Sequence, residues 1–292
     1  MRPEFRRSFY FYFYQGGICM EQTYALITGA SSGIGREIAE IFAEHHHNLI
    51  LVARREDRLL SLKQKLEADY SVSVQVIPED LSVVDAAKDL HEKTKSMKVD
   101  NLVNSAGFGD WGGFLDSSWQ RQQDMVQVNI TALMQLTYLY GNDMRRNGGG
   151  HILNLSSVAS FSGGPYMSIY YASKGYVLSF SQAVAEELKG TGVTVTALCP
   201  GPTSTGFESA AQMKNSRMFT VLHPAEARDV AQRGYDAMQA GKVVAYHSTA
   251  TKLMNIGSRL CPRKTARKFA MYINGRPADE KKVKTQPAES AE

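Results

Sequence analysis

The sequence predicts an α/β protein built on a parallel sheet with helices on both faces. Three observations carry that expectation. From residue 22 onward, short apolar runs rich in β-branched residues alternate with helical stretches, as they do when crossover helices link parallel strands. The runs are continuous rather than alternating apolar and polar, which suits a sheet covered on both sides. The first run also passes through a glycine-rich turn into a helix, the usual opening of a βαβ unit whose turn can approach a phosphate.

The predicted strands are YALIT (24–28), NLILVA (48–53), VSVQVIP (72–78), VDNLVNSA (99–106), GHILNLSS (150–157) and GVTVTALCP (192–200). Between them, Gly35–Glu44, Arg58–Asp69, Val84–Lys95 and Ser118–Arg146 read as helices, and a further helix opens at Tyr170. No repeat or linker interrupts 22–245, so residues 21–245 are expected to form one domain. A basic amphipathic extension (246–275) and a charged, Ala/Pro-containing tail (276–292), expected to be disordered, follow it. Residues 1–20 read as an extension that is disordered or not native. Their aromatic run is short for a signal peptide and no small-residue cleavage site follows. Met20, directly before the first strand, is taken as the natural start.

The 292 residues carry a formal charge of +4, unevenly spread: +2 over 1–20, +6 over 246–292 and −4 over the body between. An acidic body argues against nucleic-acid binding. Cys19, Cys199 and Cys261 are too few and scattered for a disulfide framework or a zinc site, so a reducing, cytoplasmic setting is expected. His45–His47 end a helix; three consecutive residues do not converge on a metal, and no metal site is expected. No run reaches the roughly 18–20 apolar residues of a spanning helix.

The turn Gly29-Ala30-Ser31-Ser32-Gly33-Ile34-Gly35 lets backbone N–H groups and the following helix N-terminus meet a pyrophosphate. About 20 residues on, where a carboxylate would hold the ribose hydroxyl of NAD, the chain has Ala53-Arg54-Arg55. A guanidinium there suits the 2′-phosphate of NADP, with Arg54 the better candidate; the same arginines also suit the start of a solvated helix. Asp80-Leu81 after the third strand can fix adenine, or Asp80 can serve as a plain N-cap. Tyr170 and Lys174 are four apart and share a helix face, so the ammonium can lower the phenol pKa. Ser157 ends the fifth strand, on the side where open α/β sheets bind ligands. Taken alone, Tyr-x-x-x-Lys fits a capped amphipathic helix with a buried tyrosine better than it fits catalysis.

Together these motifs resemble the short-chain dehydrogenases/reductases: TGASSGIG (28–35), NSAG (104–107), Asn129, Ser157, YYASK (170–174) and PGPTST (200–205), in family order over about 22–245. The resemblance implies a Rossmann-type, doubly wound sheet of seven parallel strands in a dimer or tetramer. It implies Tyr170 as general acid/base, Lys174 to lower its pKa and hold the nicotinamide ribose, Ser157 to orient the substrate oxygen, and Asn129 to hold a relay water. Asn104, Ala106 and Gly107 would line the cofactor groove, Pro200-Gly201 would shape the nicotinamide turn, and Thr205 or Thr203 would hold the carboxamide. Ser105 departs from the family, which usually has a second Asn there, so a strand-steadying contact is expected to be lost or replaced.

The expected function is NADP(H)-dependent oxidoreduction of a carbonyl or secondary alcohol. A non-catalytic NADP-binding sensor on the same fold is the alternative. Substrate choice is expected from Gly206–His223, as lid or ordinary packing, with a second wall at Gly109–Phe114. Residues 247–274 read as two basic amphipathic segments broken at Cys261-Pro262, and packing on the body or a subunit neighbour is favoured over a membrane surface.

Overall fold

The structure, a computed structural model, describes residues 22–207 and 224–275, with 211, 213 and 217 between them and two paired dipeptides at 13–14 and 17–18. The expected tail 276–292 and most of the extension 1–20 lie outside the described residues. Seven strands form one sheet: β1 (Thr23–Thr28), β2 (Asn48–Ala53), β3 (Val74–Pro78), β4 (Lys98–Asn104), β5 (Gly150–Leu155), β6 (Val193–Cys199) and β7 (Val244–Tyr246). Their order is 7-6-5-4-1-2-3 and every neighbouring pair is parallel. The order reverses between β1 and β4, and ligands bind at the carboxyl ends of the strands at such a reversal.

The continuous apolar strands explain the two-sided burial. β1 runs as Tyr24-Ala25-Leu26-Ile27, every residue buried. Its alternate side chains face opposite ways, so Ala25 and Ile27 join one core layer and Tyr24 and Leu26 the other. Helices α1 (Gly33–Glu44) and α2 (Glu56–Tyr70) cover the first layer through Ile38, Phe42, Leu59 and Leu66. The second layer takes Leu90 from α3 (Ala86–Lys93) and, further along the chain, Leu136 and Tyr140.

The predicted helix 118–146 is continuous but not uniform. It comprises α4 (Trp119–Val126), a π-helical turn (Gln127–Ala132) and α5 (Leu133–Arg146). Such turns recur at functional sites, and this one carries Asn129. Helix α6 spans Ser168–Glu187, placing Tyr170 in its first turn. Beyond β6 come α7 (Ala227–Gln239), α8 (Thr249–Leu260) and α9 (Arg263–Asn274), the last two parted at Cys261-Pro262 as expected. Among the described residues, no helix is long and apolar enough to cross a membrane.

Candidate active site

The site begins where β1 ends. Gly29 has φ +68°, and a Cβ there would stand 2.9 Å from the Ala106 nitrogen. Gly33 has φ +57° and faces the Thr205 side chain. These are backbone conformations that L side chains rarely adopt. Thr28 ties the loop to the next strand, its Oγ1 accepting from the Ser105 and Ala106 N–H groups at 3.1 Å each. Ser32 precedes α1 without capping it by its side chain, so the first-turn N–H groups stay available to an anion. Ile34 packs half-buried against the core.

A guanidinium does cross to this loop, but it belongs to Arg55. Its Nη2 donates to Ser31 Oγ at 3.0 Å and Ser32 Oγ at 3.1 Å. Arg54, the arginine preferred from sequence, lies exposed with Nη1 4.0 Å from Asp80 Oδ2. The other Asp80 oxygen accepts from Ser82 N and Oγ at 3.0 and 2.8 Å, an Asx turn rather than a helix cap, since α3 starts only at Ala86. Leu81 is buried in the second core layer. The glycine cradle, the open helix end and the two arginines thus suit a dinucleotide carrying an extra phosphate.

Asn104 commits its side-chain N–H groups inward, while its Oδ1 is buried without a partner. Its Nδ2 donates to Asn154 Oδ1 at 2.9 Å and Thr137 Oγ1 at 3.2 Å, and Asn154 in turn donates to Ser181. That buried amide network ties β4, β5, α5 and α6. The departure at Ser105 is a local refit: its Oγ lies 2.9 Å from where a Gly35 Cβ would be.

Ser157, Tyr170 and Lys174 converge at the carboxyl end of β5. Tyr170 is within hydrogen-bonding reach of Ser157, whose Oγ accepts from Ala159 N at 3.1 Å. Lys174 Nζ lies 5.8 Å from the Tyr170 ring centroid and donates to the Leu155 carbonyl at 2.7 Å. Burial pushes the phenol up to about 12 despite the hydrogen bond from Ser157, and draws the ammonium down to about 8. The expected lowering of the phenol is therefore absent here. Burial disfavours both charged forms, and Lys174 spends a donor on the Leu155 carbonyl. Asn129 is fully buried: Oδ1 accepts from Phe108 N, and Nδ2 donates to Phe108 O and Ser173 Oγ. A Cβ on Gly107 would touch Asn129 Oδ1 at 3.0 Å and Lys174 Nζ at 3.4 Å, so the three share one wall.

Pro200-Gly201 turns beside this wall. Gly201 N donates to His247 Nδ1 at 3.1 Å, a partner the sequence did not reveal, and Thr203 Oγ1 donates to Gly201 O at 2.9 Å. Thr203 is thus folded into the turn, whereas Thr205 sits opposite Gly33. The predicted lid 206–223 lies mostly outside the described residues; the Phe207 ring meets Tyr170 at a tilt, centroids 5.2 Å apart, and Met213 is buried in the same cluster. The second wall is closed from the far end of the chain. Asn274 accepts from Trp111 Nε1 through its carbonyl (2.7 Å) and from the Tyr171 hydroxyl through Oδ1 (3.1 Å), and its Nδ2 donates to Pro165 O (3.0 Å).

A family model described as short chain dehydrogenase matches residues 23–216. The 7beta-hydroxysteroid dehydrogenase of Mediterraneibacter gnavus is 29% identical over 182 residues, 62% of this chain and 69% of that protein. The 17-beta-hydroxysteroid dehydrogenase type 3 of Mus musculus is 28% identical over 251 residues, 85% of this chain and 81% of its own. Among solved structures, a short-chain dehydrogenase from Sphingobium yanoikuyae in complex with NADPH superposes with a TM-score of 0.74 at 30% identity, covering 82% of this chain and 94% of that one.

Proposed function

Because the chain belongs to the short-chain dehydrogenase family and is an oxidoreductase of CH–OH/C=O groups, we propose that it uses NADP(H), with Tyr170 as its general acid/base. The convergence of Ser157, Tyr170 and Lys174 beside a phosphate cradle that Arg54 and Arg55 flank carries this reading. The nicotinamide, when bound, supplies or accepts the hydride. The protein's own groups handle everything else. Gly29, Ser31, Ser32, Gly33, Ile34 and Gly35 hold the pyrophosphate, and Arg55 and Arg54 hold the 2′-phosphate. Ser157 donates to the substrate oxygen and Tyr170 passes it a proton in reduction. Lys174, still cationic at neutral pH, stabilises the phenolate left behind. Ribose hydroxyls offer it acceptors in place of Leu155 O. Asn129 holds a water through which solvent returns a proton to the phenolate. Thr205 holds the carboxamide.

Trp111, Phe207, Met213 and Tyr171 give the substrate side an apolar lining, and two relatives bear hydroxysteroid dehydrogenase names. The substrate is a medium-sized, largely apolar ketone or secondary alcohol. Exposed Met134, Tyr138 and Tyr176 on α5 and α6 support assembly into a homodimer or homotetramer. The test is a panel of ketones, aldehydes and alcohols followed through NADPH absorbance. Tyr170→Phe is expected to lower turnover by about 10²–10⁴-fold while NADPH binds as before. Undiminished turnover would remove Tyr170 from its role.

A further inference from the structure

Helix α8 turns a polar stripe inward, and α9 leaves much of its apolar surface outside. Amphipathic helices ordinarily turn their apolar stripe inward. Yet α8 buries Thr251 and Asn255 while Leu253, Ile256 and Leu260 are exposed, Leu260 by 82%. Helix α9 buries Ala270, Ile273 and Asn274 and exposes Phe269, Met271 and Tyr272. The polar inward stripe is held by specific bonds: Ser248 and Thr251 form a capping box, Asn255 donates to the Tyr246 hydroxyl, and Asn274 is hooked as described above. Those bonds fix which face looks out.

The charge on that outer face has one sign. Lys252, Arg259, Arg263, Lys264, Arg267 and Lys268 are all exposed, and residues 247–275 contain no Asp or Glu. Lys252, Ile256 and Arg259 recur at helical spacing on α8, as do Lys264, Lys268, Met271 and Tyr272 on α9. The helices meet at the Cys261-Pro262 corner, where Leu260 stands beside Arg263 and Lys264.

We propose that α8 and α9 form a docking surface for an anionic lipid bilayer, with Leu253, Ile256, Leu260 and Phe269 entering the interface and the six cations meeting the headgroups. Both components suit a helix lying in a membrane surface. A second copy of the chain fits less well, because a two-fold contact would set this patch against itself and bring like charges together.

The experiment is co-sedimentation of the full chain with vesicles of phosphatidylcholine alone or with phosphatidylserine. Binding is expected to be at least about tenfold stronger to the anionic vesicles and to fall in about 0.5 M salt. Leu260→Asp with Phe269→Asp, and separately Arg263→Glu with Lys264→Glu, are each expected to weaken binding about tenfold or more. Lys88→Glu, exposed on α3, is expected to leave it unchanged. All these positions are exposed, so melting temperatures should stay near wild type; Leu260→Ser replaces any variant that fails this check. Equal binding to both vesicles, no binding, or variants that bind like the parent would overturn the proposal. So would a change in oligomeric mass by light scattering in the Leu260/Phe269 variant, which would assign the face to a second copy.

Discussion

Lys174→Met is expected to stabilise the fold while removing activity. Lys174 is 5% exposed, and burial draws its ammonium from 10.5 to about 8. At about 1.4 kcal/mol per tenfold in proton affinity, the folded state works against the charged form by ~3 kcal/mol. Methionine fills similar volume with no charge to desolvate, and forfeits the charge-assisted hydrogen bond to Leu155 O, worth ~1.5–3 kcal/mol. The net gain at neutral pH is ~0–2 kcal/mol, or up to about 8 °C in Tm for a domain of this size. The sign of the pH dependence is fixed. Between about pH 8 and 10.5 the unfolded chain still binds the Lys174 proton that the folded chain has released. Wild-type stability contributed by this group therefore rises with pH across that window, and the variant's advantage closes. By about pH 9.5 the gap should be near zero. Tyr170, pushed up to about 12, and Cys199, pushed up to about 11, act in the opposite sense; Tyr170 does so in both proteins, whereas Cys199, which the Lys174 charge holds down, is pushed further up in the variant, an effect that matters only above the pH range compared. Thermal denaturation at both pH values, without cofactor, is the assay. A variant melting below wild type at pH 7, or a gap that does not narrow, would refute the argument that burial of the ammonium governs this site.

Other perturbations test the cradle and the wall. Arg55→Ala, losing charge-assisted bonds worth ~1.5–3 kcal/mol, should weaken NADPH about 10–100-fold in a fluorescence titration and NADH little; Arg54→Ala should show the same preference, and equal effects on both cofactors would count against a 2′-phosphate contact. Gly35→Ala would bring a Cβ to 2.6 Å from Gly29 O, costing ~1–3 kcal/mol by thermal denaturation. Gly257→Ala on α8 meets open space and should stabilise by up to ~1 kcal/mol. Asn274→Ala leaves the buried Tyr171 hydroxyl and the Pro165 carbonyl unpaired, at ~1–3 kcal/mol each, so amide exchange in α9 should rise at least about tenfold while β1 is unchanged.

Six of the seven strands were legible because their apolar, β-branched runs are continuous; β2 occurs over 48–53 as read, and β5 and β6 end within two residues of the expectation. The seventh, Val244–Tyr246, is three residues long, too short for any periodicity to speak. The π turn at 127–132 was hidden because one extra residue in a turn leaves the apolar pattern almost intact. Between Arg54 and Arg55 the choice depended on backbone direction: Arg55 is extended at the N-cap of α2, which sends its side chain toward Ser31 and Ser32. The convergence of Ser157, Tyr170 and Lys174 was legible from spacing, whereas the direction of the Tyr170 shift was not, since burial is a property of the assembled fold. The same holds for α8 and α9. Pattern reasoning identifies two amphipathic segments but assumes the apolar face goes inward; Thr251 and Asn255 reverse that on α8, while α9 buries Ala270 and Ile273 and leaves Phe269 and Met271 outside.

The hook at Asn274 also bears on when the enzyme becomes complete. Its partners Trp111, Pro165 and Tyr171 precede it by 163, 109 and 103 residues. A chain made from its N-terminus builds the cofactor half first, yet the wall facing the substrate stays unclosed until α9 has been synthesised. The nascent protein can thus gain a nucleotide-binding fold before it gains a finished pocket, and termination between β7 and residue 274 would leave the phosphate cradle built and the substrate wall open.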